Sequence, residues 1–319
     1  MNFNPATTFS AILFIGALAG LYVLVFGHRK HLARKSGVRS PFVEDFLRLP
    51  GHTARLQRLA YFDELTESYN QFLLLSVLLV FSSLFIHSLL GAICLVVAIA
   101  GVAFTLKNAW SLFATIQAAN LRCDGEEYTG QELNYLWAQG ASVYHDIPHP
   151  GGNIDHIVIG NDKVLVVESY PYYKKDAGNN SENSNWQVEF NGETLQFPAF
   201  ETREPIENAI RNAQYLKRQL LENCEVDFQV MPVVAIPGWH VKISTQKRAE
   251  ILVINPRRGA GLKAWLGKTK DSKARKVVST YLSTVARSIP PRSKRTDSNA
   301  SKEFEFWLSP RFKNKILND

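Results

Sequence analysis

The stretch 72–106 (FLLLSVLLVFSSLFIHSLLGAICLVVAIAGVAFTL) runs for thirty-five residues without one Asp, Glu, Lys or Arg. A helical bilayer span takes about 20 apolar residues, so the run is too long for one untilted span and suits two short ones. Ser88 and Gly91 supply turn chemistry, with His87 beside them. The expectation is a helical hairpin with spans 72–88 and 92–106. One tilted span with an apolar extension is the alternative. A further segment, 9–26, is uncharged and also long enough to cross. Ala17-Leu18-Ala19 within it looks like a signal-peptide cleavage site. However, MNFNPATT carries no Lys or Arg, and the apolar run continues past Ala19 into the basic HRKHLARK. A retained span is therefore expected.

The loop 27–71 carries eight Lys/Arg (Arg29, Lys30, Arg34, Lys35, Arg39, Arg48, Arg55, Arg58) against five acids (Glu44, Asp45, Asp63, Glu64, Glu67). By the positive-inside rule this loop is cytoplasmic, which leaves the N-terminus outside and everything after Lys107 inside. The three cysteines, Cys94, Cys123 and Cys224, form no disulfide framework and no zinc-binding cluster, which suits a reducing compartment. The chain is expected to divide into a membrane region 1–120, a soluble domain 121–288 and a tail 289–319. The tail begins as a linker, SIPPRSKRTDSNAS, and ends in an aromatic cluster.

The soluble region alternates helical and strand patterns, so the fold class is α/β with a mixed central sheet flanked by helices. TGQELNYLWAQ (129–139) has apolar residues at helical spacing and a capping-type Thr129 followed by Glu132. Strand 140–146 leads through a Pro/Gly loop, HDIPHPGG, into NIDHIVIGNDKVLVVESY (153–170). After a polar loop, 176–184, a small hairpin 186–197 turns at Asn191-Gly192. Helix 205–223 carries the stripe Ile206, Ala209, Ile210, Ala213, Leu216 and Leu220. Strands 226–236 and 250–254 and helices 261–267 and 275–287 complete the pattern.

The segment 153–170 reads as a hairpin with carboxylates at its open end. With Asn161-Asp162 as the central turn residues, Ile159 opposes Val164, Ile157 opposes Val166, and Asp155 opposes Glu168, all on one face. Two acids held opposite each other repel. A Mg²⁺ ion between them turns that repulsion into ligation, and Mn²⁺ can substitute; acids at fraying strand ends are the alternative. Charge is also segregated. Residues 121–240 hold eight Lys/Arg against eighteen Asp/Glu, whereas residues 241–295 hold fifteen Lys/Arg against Glu250 and Asp271. A basic lobe with Arg257 and Arg258 beside an acidic site suits a nucleic-acid phosphodiester; near a bilayer it suits anionic lipid headgroups.

Over about 125–266 this order resembles the nuclease-related domain (NERD) family, of the PD-(D/E)XK nuclease superfamily. The marks are the Gly130-centred helix start, Ile154-Asp155-His156, Glu168, Trp186, the Pro205 helix and MPVVAIPG ending at Gly238. The resemblance implies a restriction-endonuclease-like fold in which Asp155 and Glu168 hold Mg²⁺. Members often carry membrane spans. Three polar positions depart from the family. Tyr170 stands where Glu-X-Lys has its lysine, Gly130-Gln131 replaces Gly-Glu, and Glu204-Pro205-Ile206-Glu207-Asn208 replaces Asn-Pro-X-X-Gln. Glu132 or Glu127 is expected to serve for the missing helix acid. Lys174 and Lys175 are candidates for a displaced catalytic lysine, or form a solvated loop pair. Tyr170 and Asn208 remain candidate site residues. The implied function is membrane-anchored, Mg²⁺-dependent hydrolysis of DNA or RNA. The alternative is a catalytically lapsed domain that binds nucleic acid, lipid or a protein partner.

Overall fold

The computed structural model describes residues 44–174, 186–244, 250–267 and 272–289. The expected span 9–26, the loop 176–184, Lys175 and the tail beyond residue 289 lie outside the described residues. Two compact units divide the chain. Leu47–Ser288 form the unit described below. Of the other, made of Met1–Phe46 and Ile289–Asp319, only 44–46 and 289 are described.

Two long helices open the unit, α1 (His52–Leu84) and α2 (Leu89–Ala138). They pack along each other through a turn at 85–88. Ser88 caps α2, its hydroxyl accepting the Gly91 amide at 3.0 Å. A Cβ on Gly91 would lie 1.9 Å from the Phe85 carbonyl oxygen, so the turn needs glycine there. Both helices are long and apolar enough to cross a membrane. Leu74, Leu89, Leu90 and Val96 turn outward and are exposed. The expected span 92–106 thus lies within α2, whereas the expected span 72–88 overruns α1, which ends at Leu84 and leaves 85–88 to the turn. The 129–139 helix is no separate element: α2 continues through it as one helix of 50 residues. Thr129 is accordingly not an N-cap but a buried mid-helix residue. Gly130 reads as a helix start in the sequence, yet it and Gly125 are points of close packing within the helix.

The central sheet has five strands, β1 (Ser142–His149), β2 (Gly152–Ile159), β3 (Lys163–Ser169), β7 (Gln229–Ala235) and β9 (Leu252–Ile254), in the order β9-β7-β3-β2-β1. β1, β2 and β3 are an antiparallel meander, and β3, β7 and β9 run parallel. β1 extends through Pro148, so the expected HDIPHPGG loop shrinks to a turn at 150–151. Parallel neighbours need a crossover, and α3 (Glu204–Cys224) supplies it between β3 and β7. Pro205 suits its first turn, where the missing N–H costs nothing.

A smaller sheet, β6-β5-β4-β8, joins β4 (Gln187–Phe190), β5 (Leu195–Gln196), β6 (Glu201–Thr202) and β8 (His240–Ile243). Its hairpin turns as expected, the Asn191 side chain accepting the Thr194 amide at 2.8 Å. Two short helices follow, α4 (Ala260–Leu266) and α5 (Lys273–Ala286). The two sheet faces are covered differently. Ile157, Ile159, Val164 and Val166 pack on Ala213, Leu216 and Leu220 of α3 and on Val278 and Leu282 of α5. Val158, Leu165 and Val167 pack on Leu133 and Leu136 of α2 and on Leu262 and Leu266 of α4. The last third of α2 is therefore part of the domain core.

Candidate active site

The β2–β3 ladder pairs Ile159 with Val164, Ile157 with Val166 and His156 with Val167. The paired positions end at His156–Val167, and one step beyond them on the two strands stand Asp155 and Glu168, the two acids expected to meet. Asp155 Oδ2 accepts the amide of Ser169, the residue after Glu168, at 2.8 Å. Glu168 Oε1 accepts Asn212 Nδ2 of α3 at 2.8 Å. Each carboxylate residue is only 5% exposed. Burial pushes Asp155 well above its usual range, and the Glu126 and Glu168 charges add to this. Burial likewise lifts Glu168 up to about 8, against the Asn212 hydrogen bond.

The third carboxylate comes from α2 and is Glu126, not Glu132. Glu126 is fully buried; its Oε1 takes a salt bridge from Arg122 Nε at 2.8 Å, and its Oε2 has no hydrogen-bond partner. Burial raises its pKa against the pull of Arg122. The helix reaches the site because glycine lets it approach. A Cβ on Gly125 would lie 2.4 Å from Pro171 Cγ, just beyond Tyr170. A Cβ on Gly130 would lie 2.6 Å from Pro50 and 3.3 Å from His156. Helical periodicity explains the exchange of acids. Residues 122, 126 and 130 recur every four positions and face the hairpin, whereas Glu132 is turned away. Glu127 pairs with Arg55 instead.

Tyr170 occupies the lysine position and stays on the α3 side, where its hydroxyl accepts Asn208 Nδ2 at 2.9 Å. Burial and the Glu168 charge both hold this phenol neutral. Lys174 does not swing back to the carboxylates. Its ammonium lies 3.8 Å from the Trp186 ring centroid and 5.8 Å from that of Trp239. Arg258 sits against His240 at 3.2 Å, and Arg257 is an exposed residue on the same short turn. Neither is drawn into the carboxylate cluster.

The sequence reading missed Glu126, Arg122 and Asn212, and a second buried node, Asp146. Asp146 accepts Arg48 Nη1, Thr53 Oγ1 and Asn153 Nδ2, each at 2.8 Å. It also accepts the Thr53 amide at 3.2 Å, and Asn153 Nδ2 reaches Asp155 Oδ1 at 3.3 Å. The start of α1 is thereby tied to the site hairpin. On the opposite sheet face, His145 Nδ1 and His156 Nδ1 lie 2.9 Å apart. His156 Nε2 meets Ser169 Oγ at 3.3 Å. Burial lowers His145 to about 4 and His156 well below its usual value.

The donor set is all oxygen, which suits a hard divalent cation, and a buried carboxylate oxygen of Glu126 stands without a partner. Among the described residues, no three His, Cys, Asp or Glu side chains gather as a metal-holding group. Asp155 and Glu168 alone still fit Mg²⁺, which is commonly held by one or two carboxylates plus waters and substrate phosphate. Neither the curated proteins nor the solved structures contain a match to the chain. Residues 123–237, which carry Glu126, the Asp155–Glu168 hairpin, α3 and β7, match the family model of the nuclease-related domain, NERD.

Proposed function

We propose that this protein is a membrane-anchored, metal-dependent phosphodiesterase that cuts DNA or RNA, with Asp155 and Glu168 as the Mg²⁺ ligands. The observation that carries this reading is the pair of buried carboxylates, Asp155 and Glu168, held at the open end of one hairpin, with the buried Glu126 of α2 near enough for its charge to act on both. Such a cluster costs stability unless protons or a cation offset it. Mg²⁺, or Mn²⁺ in its place, held by Asp155 and Glu168 would supply Lewis-acid polarisation of the scissile phosphate and a more acidic attacking water. The chain's own residues set the geometry. Asn212 and the Ser169 amide fix the two carboxylates. Tyr170, held by Asn208, presents a neutral hydroxyl that can orient a water. The helices α1 and α2 anchor the domain with its site in the cytoplasm and the N-terminus outside.

The test uses the full chain in detergent or nanodiscs with single- and double-stranded DNA and RNA. Cleavage is expected only with Mg²⁺ or Mn²⁺ and is expected to vanish in Asp155→Ala. Mg²⁺ at a hundredfold its Kd should also stabilise the wild type by about 2.7 kcal/mol by mass action, and not Asp155→Ala. No cleavage and no stabilisation would favour the second reading, a binding domain that has lost catalysis. The Tyr170–Asn208 pair supports that reading, because it fills the lysine position with neutral groups. Its ligand would be nucleic acid, anionic lipid or a protein partner, the first two through the basic segment 241–295.

A further inference from the structure

We infer that Arg122 binds the substrate phosphate at this site, in the role a lysine at position 170 would fill; the inference rests on the phosphodiester reading above. Tyr170 is neutral, and Lys174 is committed to the Trp186 and Trp239 rings. Arg122 is salt-bridged to Glu126 at 2.8 Å, and its charge also pulls down the pKa of Asp155 and Glu168. It stands four residues before Glu126 on the site-facing side of α2, and the Gly125–Pro171 contact sets the depth of that helix against the residue after Tyr170.

The guanidinium is held at one end and open at the other. Nε is fixed on Glu126 Oε1 at 2.8 Å, and Nη1 reaches Gln57 Oε1 only at 3.5 Å. Among the described residues, Nη2 has no hydrogen-bond partner. The Arg122 side chain is 44% exposed, whereas that of Glu126 is 0% exposed. Arg122 therefore bridges the buried carboxylates and solvent, where a phosphate must enter. A planar guanidinium presents paired N–H donors that match two phosphate oxygens. As charge builds on those oxygens during hydrolysis, the same donors stabilise it. The anchoring salt bridge means that the group is already positioned before substrate arrives.

The experiment uses full-length wild type, Arg122→Gln, Arg122→Lys and the double variant Arg122→Gln/Tyr170→Lys. Binding of a non-cleavable phosphorothioate oligonucleotide is measured in Ca²⁺, and cleavage of the natural oligonucleotide in Mg²⁺. Arg122→Gln is expected to weaken binding at least tenfold and to slow cleavage by on the order of 10²–10³. Arg122→Lys should fall between it and wild type, and the Tyr170→Lys addition should restore much of the cleavage, which a structural role for Arg122 would not allow. Wild-type binding and cleavage in Arg122→Gln would overturn the inference and leave the nuclease reading intact. A wild type that binds but does not cut, with binding lost in Arg122→Gln, would remove the nuclease reading and keep the inference. A wild type that neither binds nor cuts overturns both. Should Arg122→Gln lose its melting transition, Arg122→Lys decides: behaviour identical to wild type overturns the inference.

Discussion

Glu168 is a carboxylate that the fold holds as an acid. Its pKa is lifted by burial to about 8 from an ordinary 4.5. The folded protein therefore keeps a proton that the unfolded chain releases. Its contribution to stability is complete below about pH 4.5 and is lost as pH rises through about 8. Glu168→Gln imitates the protonated form and keeps an oxygen for Asn212. It should melt several degrees higher than wild type at pH 8 and match it near pH 4.5, as scanning calorimetry would show. Equal melting at pH 8 would mean that the carboxylate is ionised in the folded state. His145 has the opposite sign. Its pKa falls to about 4 from 6.5, so its contribution is full above about pH 6.5 and is lost as pH falls toward 4. Acid therefore attacks the histidine face of the hairpin and base the carboxylate face. The pairing of Asp155 with Glu168 was legible because strand alternation and a tight turn fix the register. Glu126 was not legible. Its role depends on which helix face meets the hairpin, and a Gly-Glu at 125–126 looks no different in sequence from the neighbouring acids at 127 and 132.

At the scale of elements, α2 does two jobs and hides the join between them. Its first part is apolar all round, and its last third buries Leu133 and Leu136 in the domain core. Read locally, Thr129 and Gly130 signal a helix start. In the structure Gly130 permits contact with Pro50 instead, as Gly125 does with Pro171, a tertiary effect that overrides local propensity. Gly125→Ala should therefore destabilise the domain by about 1–3 kcal/mol, the usual range for overpacking. Gly261→Ala, in α4, meets no atom within 4 Å and should be neutral or stabilise by up to about 1 kcal/mol. Chemical denaturation of the two variants separates the cases, and a stabilised Gly125→Ala would contradict the close helix–Pro171 contact. Helix α3 was legible almost to its ends, because its stripe repeats cleanly and Pro205 marks its start. Asn212 within that stripe was not. A single buried amide in an apolar row shows its purpose only once Glu168 lies opposite.

For the whole molecule, the testable matter is orientation. Reporter fusions at the N-terminus, near Ser40 and after Ser288 should read outside, cytoplasm and cytoplasm. A periplasmic or extracellular signal from the last would overturn the topology. The unbroken α2 then has a mechanical consequence. Glu126 lies twenty residues beyond Leu106 on one continuous helix, which at 1.5 Å per residue is about 30 Å. With the apolar stretch embedded, the carboxylates stand on a rigid mast well clear of the headgroups. The foot of that mast is steered by the lipid. Helices tilt to match the thickness of the bilayer around them, and a 10° change at the base swings a point about 30 Å up the shaft sideways by about 5 Å. On the membrane-anchored reading, bilayer thickness would then set where this site is carried, and a substrate would have to be long enough to reach it above the surface.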